Sequence, residues 1–462
     1  VSYALVQSAV NPALDDLRQQ VHTTRLGVSW VLTAFLLASA VLTPILGRIG
    51  DRWGKRDTLV AVLLLLTAGS VVAALATSLP VLVAGRLLQG AGGATLPLAF
   101  GIVRDRLPAD RVGPTVGLIA AVSAVGGAIG VLVAGPIITG LGTPWLFWLP
   151  AIANGVMALA VRVFLEDGGT RAEGRLNWAA GLLLAATLVL LLLPLSLGQE
   201  WGWGSPKTLG SLAGAVVAGA AWATVETRSQ NPLIDMRVFR LRPVWTANLA
   251  SFLFGVTLYS AFGFIPAFLQ TPSSSGYGLG ESITVSGLLF LPVTATQFLS
   301  GLAAGRLAKR FSMKALLVAG SVPIVISFLL LALVHGSALL VALDIAVGGL
   351  GFGLGLSALS AVVVAAVPAE HTGAATGMNA NIRTIGGAVG AALVATILAS
   401  HTGASGVPSE SGYTTAFLLL AVAAVAGLLA SLLIGARPQG KAAQTAAPEP
   451  VRELALGGAA DR

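Results

Sequence analysis

Apolar residues recur along the chain in long runs, at about 1–14, 28–47, 58–77, 80–102, 113–139, 145–164 and 178–197. Further runs fall at about 208–225, 244–269, 283–304, 315–334, 337–366, 373–399 and 413–435. Each approaches the roughly 20 apolar residues a helix needs to cross a bilayer, and none shows the period-two alternation of a membrane barrel. The pattern predicts an all-α integral membrane protein with fourteen transmembrane helices. The first run is short, because Asp15 follows only about 14 residues after Val1. It is read as a helix lacking its leading end, not as a signal peptide.

The polar stretches between the runs carry an orientation signal. If the loop holding Arg48, Arg52, Lys55 and Arg56 is cytoplasmic, alternation places 22 of the 27 Lys and Arg on that side, including those of the C-terminal tail. The opposite side keeps Arg18, Arg25 and Lys207, while Arg86 and Arg383 fall inside runs. Positive charge gathers on the cytoplasmic side of membrane proteins, and one missed helix would scramble the asymmetry.

Composition then narrows the class. Apolar residues make up 55% of the 462 positions and charged residues 10%, against about 25% charged in soluble domains, so the bilayer is the expected solvent. The net charge of +8 sits in short interhelical clusters, which argues for membrane topology and against nucleic acid. There is no Cys, and the four His show no metal-ligand spacing. No nucleotide loop or nucleophile–base pair appears, so an enzyme is not expected.

An internal repeat divides the chain. Gly47-Arg48-Ile49-Gly50-Asp51-Arg52-Trp53-Gly54-Lys55 is echoed by Gly305-Arg306-Leu307-Ala308-Lys309-Arg310-Phe311-Ser312-Met313. At the same offset of 258 Arg86 and Gly90 meet Asp344 and Gly348, and at an offset of 260 Pro108-Ala109-Asp110 is matched by Pro368-Ala369-Glu370. Two six-helix halves follow, at 1–165 and 243–436. Residues 166–242 form two inserted helices with a cytoplasmic connection, and 437–462 a disordered cytoplasmic tail. Parallel repeats of this kind place a substrate site at their interface near the midplane.

These motifs resemble those of the major facilitator superfamily, and specifically its fourteen-helix drug:proton antiporter group. Gly47-x-x-x-Asp51-Arg52-x-Gly54-Lys55-Arg56 is similar to the superfamily's signature loop, and Leu82-x-x-x-Arg86-x-x-Gln89-Gly90 to its helix-4 motif. Gly126, Gly127, Gly130, Gly135 and Pro136 resemble the antiporter motif of exporters, with Thr139 at a usual Gly. Glu226-x-Arg228-x-x-Asn231-Pro232-Leu233-Ile234-Asp235 resembles the segment after the eighth helix. Tyr3 stands where the group usually carries a helix-1 Asp. The resemblance implies a proton-coupled antiporter exporting small amphipathic compounds by alternating access. An importer or facilitator of a specific metabolite is the alternative. It also implies a monomer working in a bacterial inner membrane with its C-terminus cytoplasmic. Its partners are the lipid bilayer, a small-molecule substrate and protons, and its energy source is the proton gradient without a cofactor.

Particular residues acquire expected roles. Gly47 and Gly54 permit a tight turn, and Asp51 can accept hydrogen bonds from a neighbouring helix N-terminus, where the dipole favours a carboxylate. The start of the thirteenth run, around Thr372 to Gly377, is the candidate neighbour, so Gly47, Asp51, Arg52, Gly54 and Lys55 form an expected gate. Arg383 joins that gate if it pairs with Asp51; pairing with Asp344, binding an anionic substrate and snorkelling to the surface are its other readings. Ionisable residues inside spans are functional candidates by default. Asp344 is the expected proton-coupling residue, with a structural or solvated Asp as alternatives. Arg86 would tune a carboxylate, with Gln89 one turn away. Gly126, Gly130, Gly135 and Pro136 would make a close-packed helix that Pro136 bends or interrupts. Gln7, Asn11, Trp30, Phe35, Asn248, Tyr259, Phe262, Gln297 and Asn379 are the expected substrate-cavity residues, an apolar pocket with few polar anchors.

Overall fold

The protein is described by a computed structural model covering residues 2–10, 13–166, 168, 176–230, 232–308, 310–403 and 406–435. Asn11, much of the loop after 166, Lys309 and the tail after 435 lie outside the described residues. Everything regular is helical, as a chain without solvent for its amides requires. The first part contains α1 (Ser2–Ser8), α2 (Leu14–Gln20), α3 (Arg25–Trp53), α4 (Lys55–Ala74), α5 (Leu79–Gln89), α6 (Thr95–Arg106), α7 (Ala109–Leu141) and α8 (Trp145–Phe164). Then come α9 (Trp178–Trp201), α10 (Pro206–Arg228) and the single turn α11 (Met236–Phe239). The last part contains α12 (Arg242–Gln270), α13 (Ile283–Leu289), α14 (Leu291–Leu307), α15 (Met313–Leu333), α16 (Ala338–Ala366), α17 (Thr372–Ser400) and α18 (Glu410–Leu433).

Eleven of these stretches are long and apolar enough to cross a membrane. Many start where the sequence supplies a cap: Thr24, Asn177, Ser205, Ser312 and Ser337 each accept from a backbone N–H in the first turn of the helix that follows. That satisfies one of the donors a helix start leaves open. The runs at 1–14, 80–102 and 113–139 are helical but are not among the eleven. The first contains α1, and α2 begins only at its last residue, Leu14. The fourth breaks at a 3-10 turn over Gly90–Ala94. There α3 passes so close that a Cβ on Gly90 would lie 2.7 Å from Ser39 N. The run at 283–304 likewise divides into α13 and α14 around Phe290, just before Pro292.

Two packing centres organise the molecule. One core draws only on residues from Val238 to Ile434, with Phe254, Phe268, Phe328 and Phe417 at its heart. Two others draw on Tyr3 to Leu165. A fourth core joins them at one side: Ala180, Leu184, Leu233, Ile234 and Met378, flanked by Val41, Ile45 and Ile382, tie α9 and the segment before α11 to both α3 and α17.

Candidate functional site

The end of the bundle that carries the basic loops is where the two parts interlock. Gly54, with φ of 118°, makes the turn from α3 into α4, a backbone angle that strongly favours glycine. Gly47 has a different role from the expected one. It lies inside α3, where an added Cβ would stand 2.6 Å from Gly373 O, so it allows the first turn of α17 to approach. One turn later Asp51, fully buried, accepts hydrogen bonds from Gly373 N at 3.0 Å and Ala374 N at 2.9 Å. A carboxylate there meets both the open backbone donors and the positive end of the α17 dipole.

Around this contact stand Lys55, expected in the gate, and further residues, Asp105, Arg104 and His371, that the sequence motifs did not single out. Lys55 Nζ is 3.9 Å from Asp51 and 2.7 Å from Asp105, and it also donates to Ala369 O at 3.5 Å. Arg48 Nη1 lies 3.1 Å from His371 Nδ1, and Arg104 donates to Val364 O and, at 3.3 Å, to Thr372 Oγ1. Burial lowers the Arg104 pKa from its ordinary value, opposed by Asp105. Arg52 is half-buried and joins none of these contacts among the described residues. The signal that could have marked Asp105 was present: like Asp51, it is an acid set among arginines.

The seam continues inward from this end. Asn381 donates to Ala40 O, and a Cβ on Gly377 would lie 3.2 Å from Thr43 O. Opposite, Ser357 Oγ donates to Gly117 O at 3.3 Å and Gly305 faces Pro114. On α7, Gly130 packs on α1, its added Cβ reaching 2.9 Å from Leu5 O. Gly126 is buried, but Gly135 and Pro136 are exposed and Gly135 has nothing within 4 Å. The helix runs unbroken through Pro136, so close packing is confined to its middle and Pro136 does not interrupt it.

In the middle of the bundle Arg86 is fully buried. Its Nε donates to Val31 O at 3.1 Å, and its Nη1 to Val6 O at 3.3 Å and Gln89 Oε1 at 2.8 Å. Gln89 passes the chain on to Ser70 Oγ at 2.8 Å. The guanidinium sits 4.1 Å over the Phe35 ring, and Tyr3 stacks on the same ring at 5.8 Å while its hydroxyl pairs with Ser39. No carboxylate touches Arg86 among the described residues, so the expected tuning of an acid is replaced by contacts to carbonyls. Arg86 Nη2 has no partner. Phe35 is thus a packing element and not a free cavity wall.

The other half places its polar residues differently. Asn379 Nδ2 donates to Asn248 Oδ1 at 2.8 Å, and Ser251 Oγ donates to Asn379 Oδ1 at 3.0 Å. Both amides are buried and spent on tying α12 to α17, which corrects their placement as substrate anchors. Gln297 is buried where α14 meets Gly353. Gln7, Trp30 and Tyr259 are half-buried, and Tyr259 packs its ring on Gly387. Phe262 is exposed and 5.8 Å from Phe290, at a crevice of about 10 Å³, room for one water, that Ser327, Phe328, Ile345 and Phe352 also line. Asp344 lies one turn from that crevice on α16, 8% exposed, and its Oδ2 has no partner. Arg383 pairs with neither Asp51 nor Asp344. It sits eleven positions along α17 from the His371–Thr372 start, about 16 Å deeper at the helical rise.

This geometry has counterparts. The model of the Major Facilitator Superfamily matches residues 1–391 and 247–459. The multidrug transporter protein MdtP of Bacillus subtilis is 28% identical over 371 residues, covering 79% of this chain and 67% of that one. The tetracenomycin C resistance and export protein of Streptomyces glaucescens is 28% identical over 396 residues, covering 83% and 71%. Among solved structures, the human organic anion transporter MFSD10 (TETRAN) superposes with a TM-score of 0.66 over 94% of this chain and 96% of that one, at 16% identity, a likeness of fold. With a family model spanning nearly its whole length and two helical cores meeting at a glycine seam, the chain belongs to the Major Facilitator Superfamily, as a multi-pass membrane transporter and not an enzyme.

Proposed function

We propose that the protein exports small amphipathic compounds, drugs or natural products, across a bacterial plasma membrane by proton antiport, through fourteen crossings and alternating access. The observation that carries this reading is the Asp51 contact with the start of α17. Among the described residues, the halves meet at this end through groups that can separate: two backbone N–H bonds, glycine backbones in contact, and Lys55, Arg48 and Arg104 reaching Ala369, His371, Val364 and Thr372. With the basic end cytoplasmic, this is a closed inner gate, and opening it means withdrawing a carboxylate from a helix N-terminus. The relatives named for multidrug transport and for export of an antibiotic support the direction and the substrate type.

For the proton, Asp344 is the residue of choice. An acid within a span must be paired, protonated or wetted; here one carboxylate oxygen lacks a partner among the described residues. Loading from the outside and release on the opposite swing would couple the gradient to transport. The test is uphill movement of a xanthene dye in proteoliposomes of the purified chain under an imposed pH gradient, wild type against Asp344→Asn. Gradient-driven transport that the variant loses, with dye binding kept, is the expected result. Equal pumping by both would remove Asp344 from the coupling, and absence of gradient-driven transport in wild type would overturn antiport.

A further inference from the structure

We propose that His371 and Arg48 form a proton-sensing contact between the two halves, which releases the inner end of the bundle when the cytoplasm turns acidic. The proposal rests on the gate reading of that end, and on neither the substrate nor proton antiport. Arg48 is buried on α3, one turn before Asp51. His371 closes the 3-10 turn Ala369–His371 that leads into α17. Their side chains meet across the seam, Nη1 to Nδ1, at 3.1 Å, and among the described residues this is the one hydrogen bond or ion pair of Arg48. A guanidinium carries donors and no acceptor, so Nδ1 can only be accepting. The imidazole in this contact is therefore neutral, with its single proton on Nε2. Nε2 in turn lies 3.9 Å from Oε1 of the exposed Glu370.

Protonation reverses the sign of the contact. A second proton goes on Nδ1, where it faces Arg48 Nη1, and a hydrogen bond becomes an approach of like charges. The surroundings do little to offset the new charge. Lys55 of α4 and Arg104 of α6 already bring two more cations to Ala369 O and Thr372 Oγ1, on either side of His371. Of the acids nearby, Asp105 of α6 is paired with Lys55, and Asp51 of α3 is held by the N–H groups of α17. Arg52 of α3 joins none of these contacts. Asp235, before α11, acts on the ring at longer range. Glu370 shares the turn with His371 and moves with it, so attraction between those two holds nothing across the seam. An unperturbed imidazole titrates at about pH 6.5, within reach of cytoplasmic acidification. Since the closed contact admits only the neutral ring, it is fully present above the imidazole's range and lost as pH falls through it. With the basic end inside, acid favours the inward-open form, the one that takes up compounds from the cytoplasm.

The test needs no substrate. The chain has no Cys, so Trp53→Cys and Phe311→Cys supply a single pair of spin-label sites. Both residues are exposed and stand at equivalent places in the two repeats, at the inner ends of α3 and of the turn between α14 and α15. Double electron–electron resonance of the labelled chain in nanodiscs reads the distance between the halves, with Asp51→Asn marking the opened state. Lowering the pH from about 8 to about 5.5 should raise the open-to-closed ratio about tenfold or more. His371→Gln keeps an acceptor for Arg48 but takes up no proton, and should cut that rise to the share that Asp51 contributes. His371→Lys, a cation at about pH 8, should open the end without acid. His371 is only half-buried, at a turn, so neither variant empties a core. The proposal falls if acid leaves the distance unchanged, if His371→Gln responds to acid within about twofold of its parent, or if His371→Lys stays as closed as its parent. A lengthened distance in His371→Lys with none in Asp51→Asn would sink the Asp51 latch and leave the His371 contact standing. The reverse pattern would keep the latch and remove the sensor.

Discussion

Replacing Asp51 by Asn isolates what the inner contact contributes. The carboxylate gives one oxygen to Gly373 N at 3.0 Å and the other to Ala374 N at 2.9 Å, with no exposure to solvent. An amide of the same shape keeps one acceptor and turns an N–H₂ toward the second donor. One charge-assisted bond is lost, at about 1.5–3 kcal/mol, and with it the attraction of the charge to the helix end, about 0.5–2 kcal/mol. Lys55 keeps Asp105 at 2.7 Å, so its loss is small. A change of about 3 kcal/mol is roughly a hundredfold in the ratio of closed to open inner gate. The chain has no Cys, so Thr43→Cys, buried at the seam beside Gly377, supplies a single thiol. Maleimide should reach it in nanodiscs about a hundredfold faster with Asp51→Asn than without. Asp57→Asn, at an exposed ion pair with Arg56 and Arg162, serves as the control that should change little. A rate rise below about threefold, or one that Asp57→Asn matches, would refute the latch.

Gly47→Ala sets a methyl against Gly373 O, at 2.6 Å before relaxation, and should open the same seam by sterics, raising labelling of the Thr43→Cys thiol without removing any charge. Glu226→Ala leaves the N–H groups of Leu233 and Ile234 without their carboxylate; a loss of roughly 2–4 kcal/mol is expected, read as a lower Tm of the purified chain, with Glu226→Gln intermediate. Asp344→Asn should keep dye binding and lose uphill transport, whereas a merely structural Asp344 would show itself as a lowered Tm with coupling intact.

The helical layout was legible because a bilayer permits little else. Length and apolar character alone place a helix, and the basic loops order the set. What the pattern missed were the interruptions. The run at 80–102 reads as one helix because Gly90–Ala94 is as apolar as its flanks. The 3-10 turn there is a response to the backbone of α3 crossing at Ala38 and Ser39, a tertiary cause with no local signature. Gly47 illustrates the same limit: its presence was informative, but whether it served a turn or an approach depended on which helix lay opposite.

The inner contact was legible in kind, since an acid in a basic loop asks for a reason, and a helix N-terminus provides one. The centre was not, because its meaning lies in which charges fail to meet. Sequence reasoning gave Arg86 an acid to tune, and left Arg383 open between a pair with Asp51 or Asp344, an anionic substrate and the membrane surface. The folded chain instead spends carbonyls on Arg86, holds Asp51 with backbone N–H groups and gives Asp344 no ion pair among the described residues. Pairing is a property of positions in space, and two residues at equivalent places in the repeats, Arg86 and Asp344, need not face one another. An arginine whose charge is met by neutral dipoles alone is stable only within a well-defined shell, and here that shell is Phe35, Gln89 and two carbonyls. Any step that moves α1 against α3 breaks part of it.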